Sequence, residues 1–235
     1  MKDTKPEKKI TYNQDGNVEC ELWLVNYELH REDGPARIWY NDDGSVSSEE
    51  WCIDGMRHRK NLPARIGYND DGSVSSEEWY VDGKQHRADG PAWIWYNDDG
   101  SVSSEAWYVD GRRHRKNLPA RIWYNDDGSV SSEEWCIDGK QHRADGPAWI
   151  GYNADGSVSY ESWYVDGRRH RKDLPARIWY NDDGSVSSEE WYVDDVELTA
   201  EEIHALKRRI VIDKALNDDY SPTACQDTKT DSPMD

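Results

Sequence analysis

The chain has 235 residues, 48 acidic and 29 basic, for a net charge of −19. That acidity argues against direct binding to nucleic acid or to anionic membrane surfaces. Only 35% of the residues are hydrophobic, too few for a thick globular core, and no stretch is long and apolar enough to span a bilayer.

In chain order, residues 1–9 read as a polar tail without the apolar centre of a signal peptide, which predicts a soluble, cytoplasmic protein. Residues 10–29 read as a degenerate first repeat, with Tyr12, Gly16 and Trp23 aligned on Tyr40, Gly44 and Trp51. Six units of 28 residues then fill 30–197, each opening on a His-Arg pair: His30, His58, His86, His114, His142 and His170. Strict self-similarity at this period marks a repeat array, whose thin core is shared between neighbours. The units alternate between "HRK[ND]LPAR" and "HRADGPAW", so the duplicated block is a 56-residue pair.

Within a unit, "PARIWYN" and "VSSEEW" flank the loop "NDDGS", which predicts a hairpin. The expected register sets Tyr40 against Val46 and Arg37 against Glu49. Asp54-Gly55 makes a second turn. After the array, Thr199 and Glu202 form a capping-box pattern ahead of a helix over 198–216, with Ile203, Leu206, Ile210 and Leu216 at helical spacing. Residues 217–235 lack periodicity and are expected to be disordered. The fold class is therefore all-β: tandem antiparallel hairpins in an elongated solenoid or twisted sheet, closed by a capping helix.

Comparing the units separates frame from variation. Ala36, Ile38, Tyr40, Val46 and Trp51 recur in all six and are the expected core. The slot of Trp39 alternates with glycine and the slot of Arg37 with tryptophan, which a packed interior would not tolerate. These slots predict an open, partner-binding stripe of Arg37, Trp39, Trp93, Trp95, Trp123, Trp149 and Trp179. Trp51 falls on the face opposite Ile38 by simple counting, unless a bulge or pairing with the next unit turns it inward.

The run "WYVDGKQHRADGPA" resembles the MORN-repeat variants, tandem β-hairpin arrays found in bacteriophage, large-virus and antitoxin-like bacterial proteins. The resemblance spans Thr11 to about Asp194 and implies a hairpin solenoid with a role in protein interaction. It carries no catalytic residues.

Chemistry beyond that is sparse. The recurring histidines are read as hydrogen-bonding the turns between units, and Asn41-Asp42-Asp43 as turn formers rather than calcium ligands. Cys52 and Cys136 share a slot with tyrosine, so they read as packing residues, and no cofactor or metal is expected. No unique residue breaks the pattern as a nucleophile or base. The expected function is a non-enzymatic scaffold that binds a protein partner, in a phage or viral setting that partner being a host factor. Two alternatives are an acidic nucleic-acid mimic, built on rows of Asp42, Asp43, Glu49 and Glu50, and a carbohydrate or cell-wall binder using the Trp row.

Overall fold

The computed structural model describes residues 5–218. In the first full unit, Arg37–Tyr40 runs into Val46–Glu50. Between them the Gly44 amide donates to the Asn41 carbonyl at 2.9 Å. Gly44 sits at φ +85°, a conformation that a side chain would strain. The Asp43 carboxylate locks the turn by accepting from the Ser45 amide and hydroxyl, at 2.9 and 2.6 Å.

These hairpins join edge to edge in one antiparallel sheet of fifteen strands, which does not close into a barrel. The second strand of each unit pairs with the first strand of the next. Over the described residues the architecture is thus all-β, a long meander of repeated hairpins ending in one helix. The first strand spans Glu7–Tyr12, so the polar tail expected over 1–9 contributes three residues to the sheet.

A second, shorter hairpin follows each long one, as Cys52–Ile53 with Met56–Arg57. Its turn holds Asp54 and Gly55 at φ 48° and 76°, both left-handed, as a two-residue hairpin loop demands. The short hairpins stack on one another. The Gly55 amide donates to Leu29, and the Gly83 amide to Arg57, both at 2.9 Å. His30 Nδ1 lies 2.9 Å from the Asp54 carboxylate, and the other five His-Asp pairs repeat the contact. The histidines therefore bind the turns, as their recurrence implied.

The register differs from expectation by one residue. Tyr40 does oppose Val46, but Trp39 opposes Ser48 and Arg37 opposes Glu50 rather than Glu49. Ser47 is the extra residue of a β-bulge, and the same shift recurs in every later unit. The bulge puts Glu49 and Trp51 on the face of Ile38, the inward turn that simple counting missed.

The core is thinner than the recurring residues implied. Ala36 and its copies are fully buried, and Trp79 and Trp191 are buried. Ile38, Tyr40, Val46 and Trp51 are only half-buried, because a sheet one layer thick covers each face incompletely. Arginine from the inter-unit loop stacks on Trp51, Trp79, Trp107, Trp135 and Trp163. Arg59 lies 3.7 Å from the Trp51 ring centre and Arg115 3.6 Å from that of Trp107. In the "HRADGP" loops the distances are 4.0 and 4.1 Å, where Asp89 and Asp145 draw Arg87 and Arg143 aside. That pull is one structural correlate of the 56-residue alternation.

Helix α1 spans Ala200–Asp218. Its capping box is formed: the Glu202 amide donates to Thr199 Oγ1 at 3.3 Å, and the Thr199 amide to Glu202 at 2.8 Å. Ile203, Leu206 and Ile210 are half-buried, while Val211 and Ile212 are exposed. The helix covers the Trp191 end of the array but leaves Val186–Glu189 exposed. Residues 219–235, most of the tail expected to be disordered, lie outside the described residues.

Candidate functional site

Strand pairing builds two continuous rows across one face of the sheet. One row reads Cys20, Trp39, Ser48, Gly67, Ser76, Trp95, Ser104, Trp123, Ser132, Gly151, Tyr160, Trp179 and Ser188. The other reads Leu22, Arg37, Glu50, Arg65, Glu78, Trp93, Ala106, Arg121, Glu134, Trp149, Ser162, Arg177 and Glu190. All seven residues of the expected stripe therefore share this face.

The face is not open in the way the alternation implied. Trp39 and Trp95 are exposed, at 39% and 41%, but Arg37, Trp93, Trp123, Trp149 and Trp179 are half-buried. Glycine and tryptophan alternate because neighbours compensate. Trp123 packs on Trp149 across the gap at Gly151, with centroids 5.1 Å apart. Tyr160 takes a serine slot opposite Gly151 and packs on Trp179, also at 5.1 Å. At Gly67 an added Cβ would lie 2.7 Å from Ser76 Oγ. The variation is coupled repacking within a half-covered row.

The second row is a chain of charges. Glu50, Glu78 and Glu134 are buried to within 8% of full cover. Arg37 Nη1 reaches Glu50 at 3.1 Å, and Arg57 from the short hairpin donates to the same carboxylate. Arg65 binds Glu78 at 2.6 Å, and the Tyr80 hydroxyl donates to it at 2.7 Å. Arg113 and Gln141 both bind Glu134. Buried carboxylates this well satisfied are structural, because removing one partner strands the other. Where the Arg slot becomes tryptophan, the Glu slot becomes small: Trp93 opposes Ala106, and Trp149 opposes Ser162.

Arg121 is the residue that the sequence comparison passed over. It opposes Glu134, yet Arg113 and Gln141 occupy that carboxylate, and its other neighbour is Ala106. Among the described residues Arg121 makes no ion pair, and its buried Nε has no hydrogen-bond partner. Its guanidinium lies 4.2 Å from the Trp123 ring centre and 5.5 Å from that of Trp93. The indole N–H of Trp93 is also buried without a partner. Burial, and then the neighbouring Arg113, push the Arg121 pKa down. The readable signal was Ala106 in a glutamate slot, which leaves Arg121 with an acid on one side only, as Ser162 leaves Arg177. At the equivalent Arg177 the row is satisfied, because Asp195 draws Arg169 away and Glu190 stays free for Arg177.

The acidic rows are also thinner than composition implied. Glu50 and its buried copies lie in ion pairs, Glu49 accepts the Tyr68 hydroxyl at 2.8 Å, and Asp43 is spent on Ser45. Asp42, Asp70, Asp98, Asp126 and Asp182 remain as exposed turn tips. Cys20, Cys52 and Cys136 are free and buried, and Cys225 lies outside the described residues. Among the described residues, no group of three or more His, Cys, Asp or Glu is arranged to hold a metal ion, and no helix is long and apolar enough to cross a membrane.

No protein-family model and no curated protein matches the chain. Two solved structures are distantly similar. The crystal structure of TcdB2-TccC3-TEV matches 87% of this chain and 14% of its own length, at 14% identity and a TM-score of 0.17. ASR alternansucrase in complex with isomaltononaose matches 85% of this chain and 16% of its own, at 13% identity and a TM-score of 0.17. The chain spans less than a fifth of either structure, and likenesses this remote carry no argument about its function.

Proposed function

We propose that the chain is a non-enzymatic β-repeat scaffold, of the MORN-variant kind, that binds a protein partner through the Trp-rich face of its sheet. The observation that supports this reading is the half-open aromatic row. Trp95 is exposed beside Trp93, and Trp123 and Trp149 form a second aromatic pair further along the same face, on a rigid frame of paired strands. Aromatic side chains on a rigid surface bury large area at low entropic cost, as binding surfaces require. The histidines, the buried glutamates and Asp43 with its copies are engaged in holding turns and strands in place, so the reading assigns no chemistry to them.

The test is capture of partners from lysate on the intact chain and on a Trp93→Gly, Trp95→Gly, Trp123→Gly variant, followed by salt titration. A partner held by the intact chain and lost by the variant, with binding that survives moderate salt, supports the reading. A partner that ignores the Trp changes but is lost when Asp42, Asp70, Asp98, Asp126 and Asp182 become Asn, and that releases steeply with salt, overturns it in favour of nucleic-acid mimicry.

A further inference from the structure

We infer that Arg121, between Trp93 and Trp123, is a receptor for a single carboxylate next to an apolar group on the protein partner. This rests on the protein-binding reading above and adds the chemistry of the contact. Three of the four row arginines, Arg37, Arg65 and Arg177, hold a cross-strand glutamate. Arg121 alone among them, within the described residues, has lost its carboxylate to a competitor from the short hairpin, Arg113. A half-buried guanidinium whose facing carboxylate is already bound by Arg113 and Gln141 gains from a further carboxylate that reaches it, and the planar fork suits two-point binding. Trp93 and Trp123 on either side exclude water and supply an apolar wall.

The occupant follows from charge and shape. The chain carries −19 overall, so an acidic tract would be repelled strongly, whereas one carboxylate among apolar groups meets the least of that repulsion. The row is a half-open shelf, with Trp95 exposed at its rim, which fits a side chain or chain end presented by another protein.

The experiment uses 3-phenylpropionate as a probe, with 3-phenylpropionamide as its uncharged control. Both are titrated against the intact chain and followed by indole N–H and arginine Nε resonances. The carboxylate is expected to move the signals of Trp93, Trp123 and Arg121, and the amide to leave them still. Arg121→Gln should weaken the response at least tenfold. Arg113→Gln should weaken it as much without touching the receptor, because Glu134 is then free to pair with Arg121 opposite it. Glutamine already stands in that slot at Gln85 and Gln141, so the frame accepts it. Glu134→Gln removes the competing acid and should leave probe binding intact or tighter. Equal responses to acid and amide, no response at tens of millimolar, or a response unchanged by Arg113→Gln each overturn the inference. If any of these occurs while a captured partner still depends on Trp93, Trp95 and Trp123, the protein-binding reading stands and only the carboxylate contact falls.

Discussion

The Lys207 ammonium stands 5.0 Å from the ring centre of Trp191, where Arg171 stands over Trp163 at 3.6 Å one unit earlier. The Leu198 amide likewise donates to the Trp191 carbonyl at 2.8 Å, as the His170 amide does to Trp163 at 3.0 Å. The terminal helix thus supplies the cation and the backbone bond that an eighth repeat would have brought, and Lys207 also binds Glu189 at 3.0 Å. Lys207→Ala should lower stability modestly, by about 0.5–1 kcal/mol for a partly exposed cation over an aromatic ring. Hydrogen exchange should show the loss confined to the helix and the last unit. A uniform loss along the array would contradict the capping role.

The tyrosines set a ceiling on alkaline stability. Burial, followed by Glu105, pushes the Tyr124 phenol up to about 12. Burial, followed by the hydrogen bond to Glu161, does the same for Tyr180, also to about 12. An unfolded tyrosine ionises near ~10. Between about pH 10 and about 12 the folded state therefore keeps protons that the unfolded state releases, so stability falls as pH rises through that window. Denaturant melts across this range, with phenolate absorbance as the monitor, should show the decline. Tyr124→Phe should flatten the slope by roughly one proton.

Two tryptophans of one row should respond differently to removal. Trp39 is exposed, whereas Trp123 packs on Trp149 and under Arg121. Trp123→Gly should cost roughly 3 kcal/mol, near the low end for a buried aromatic, and Trp39→Gly clearly less. Equal shifts in the denaturation midpoint would mean that the coupling across Gly151 is not what holds Trp123.

Thiol labelling offers a simple check on burial. Burial, followed by Glu50, pushes the Cys52 thiol up to about 11, and burial, followed by Glu134, pushes Cys136 up to about 12. Neither should react with a thiol reagent at neutral pH until the array unfolds, since the thiolate is the reactive form. Rapid labelling of the native protein would require local opening of the short hairpins.

Much of this fold was legible from residue spacing. The strict 28-residue period, "NDDGS" with its left-handed Gly44, and the Thr199–Glu202 box each specify local geometry directly. A bulge was one of two routes the sequence left open for Trp51, but its presence at Ser47 was not decidable, because nothing marks an unpaired residue in a run of small polar side chains. That one residue moved Trp51 to the other face and changed the partner of Arg37 from Glu49 to Glu50. The candidate face was legible as a set of slots, but its openness was not. Glycine against tryptophan looked like tolerance when each slot was read alone. It becomes compensation only once cross-strand neighbours such as Gly151 and Tyr160 are known. Arg121 was hidden for a similar reason, since its lost partner lies one strand away, in the choice Glu134 makes between two arginines.

The alternation of unit types ties the number of binding points to the length of the array. Arg121 loses its second acid because its unit follows one with tryptophan and alanine in the paired slots. Removing residues 86–113 would delete one unit together with the competitor Arg113, bring Glu78 against Arg121 and silence the site while keeping every other hairpin. Duplicating a 56-residue block would instead repeat the tryptophan-to-arginine junction and add a receptor about four strand spacings, roughly 19 Å, from the first. Recombination between near-identical blocks would then change valence rather than affinity, and avidity for a partner with repeated epitopes would rise with no new side chain.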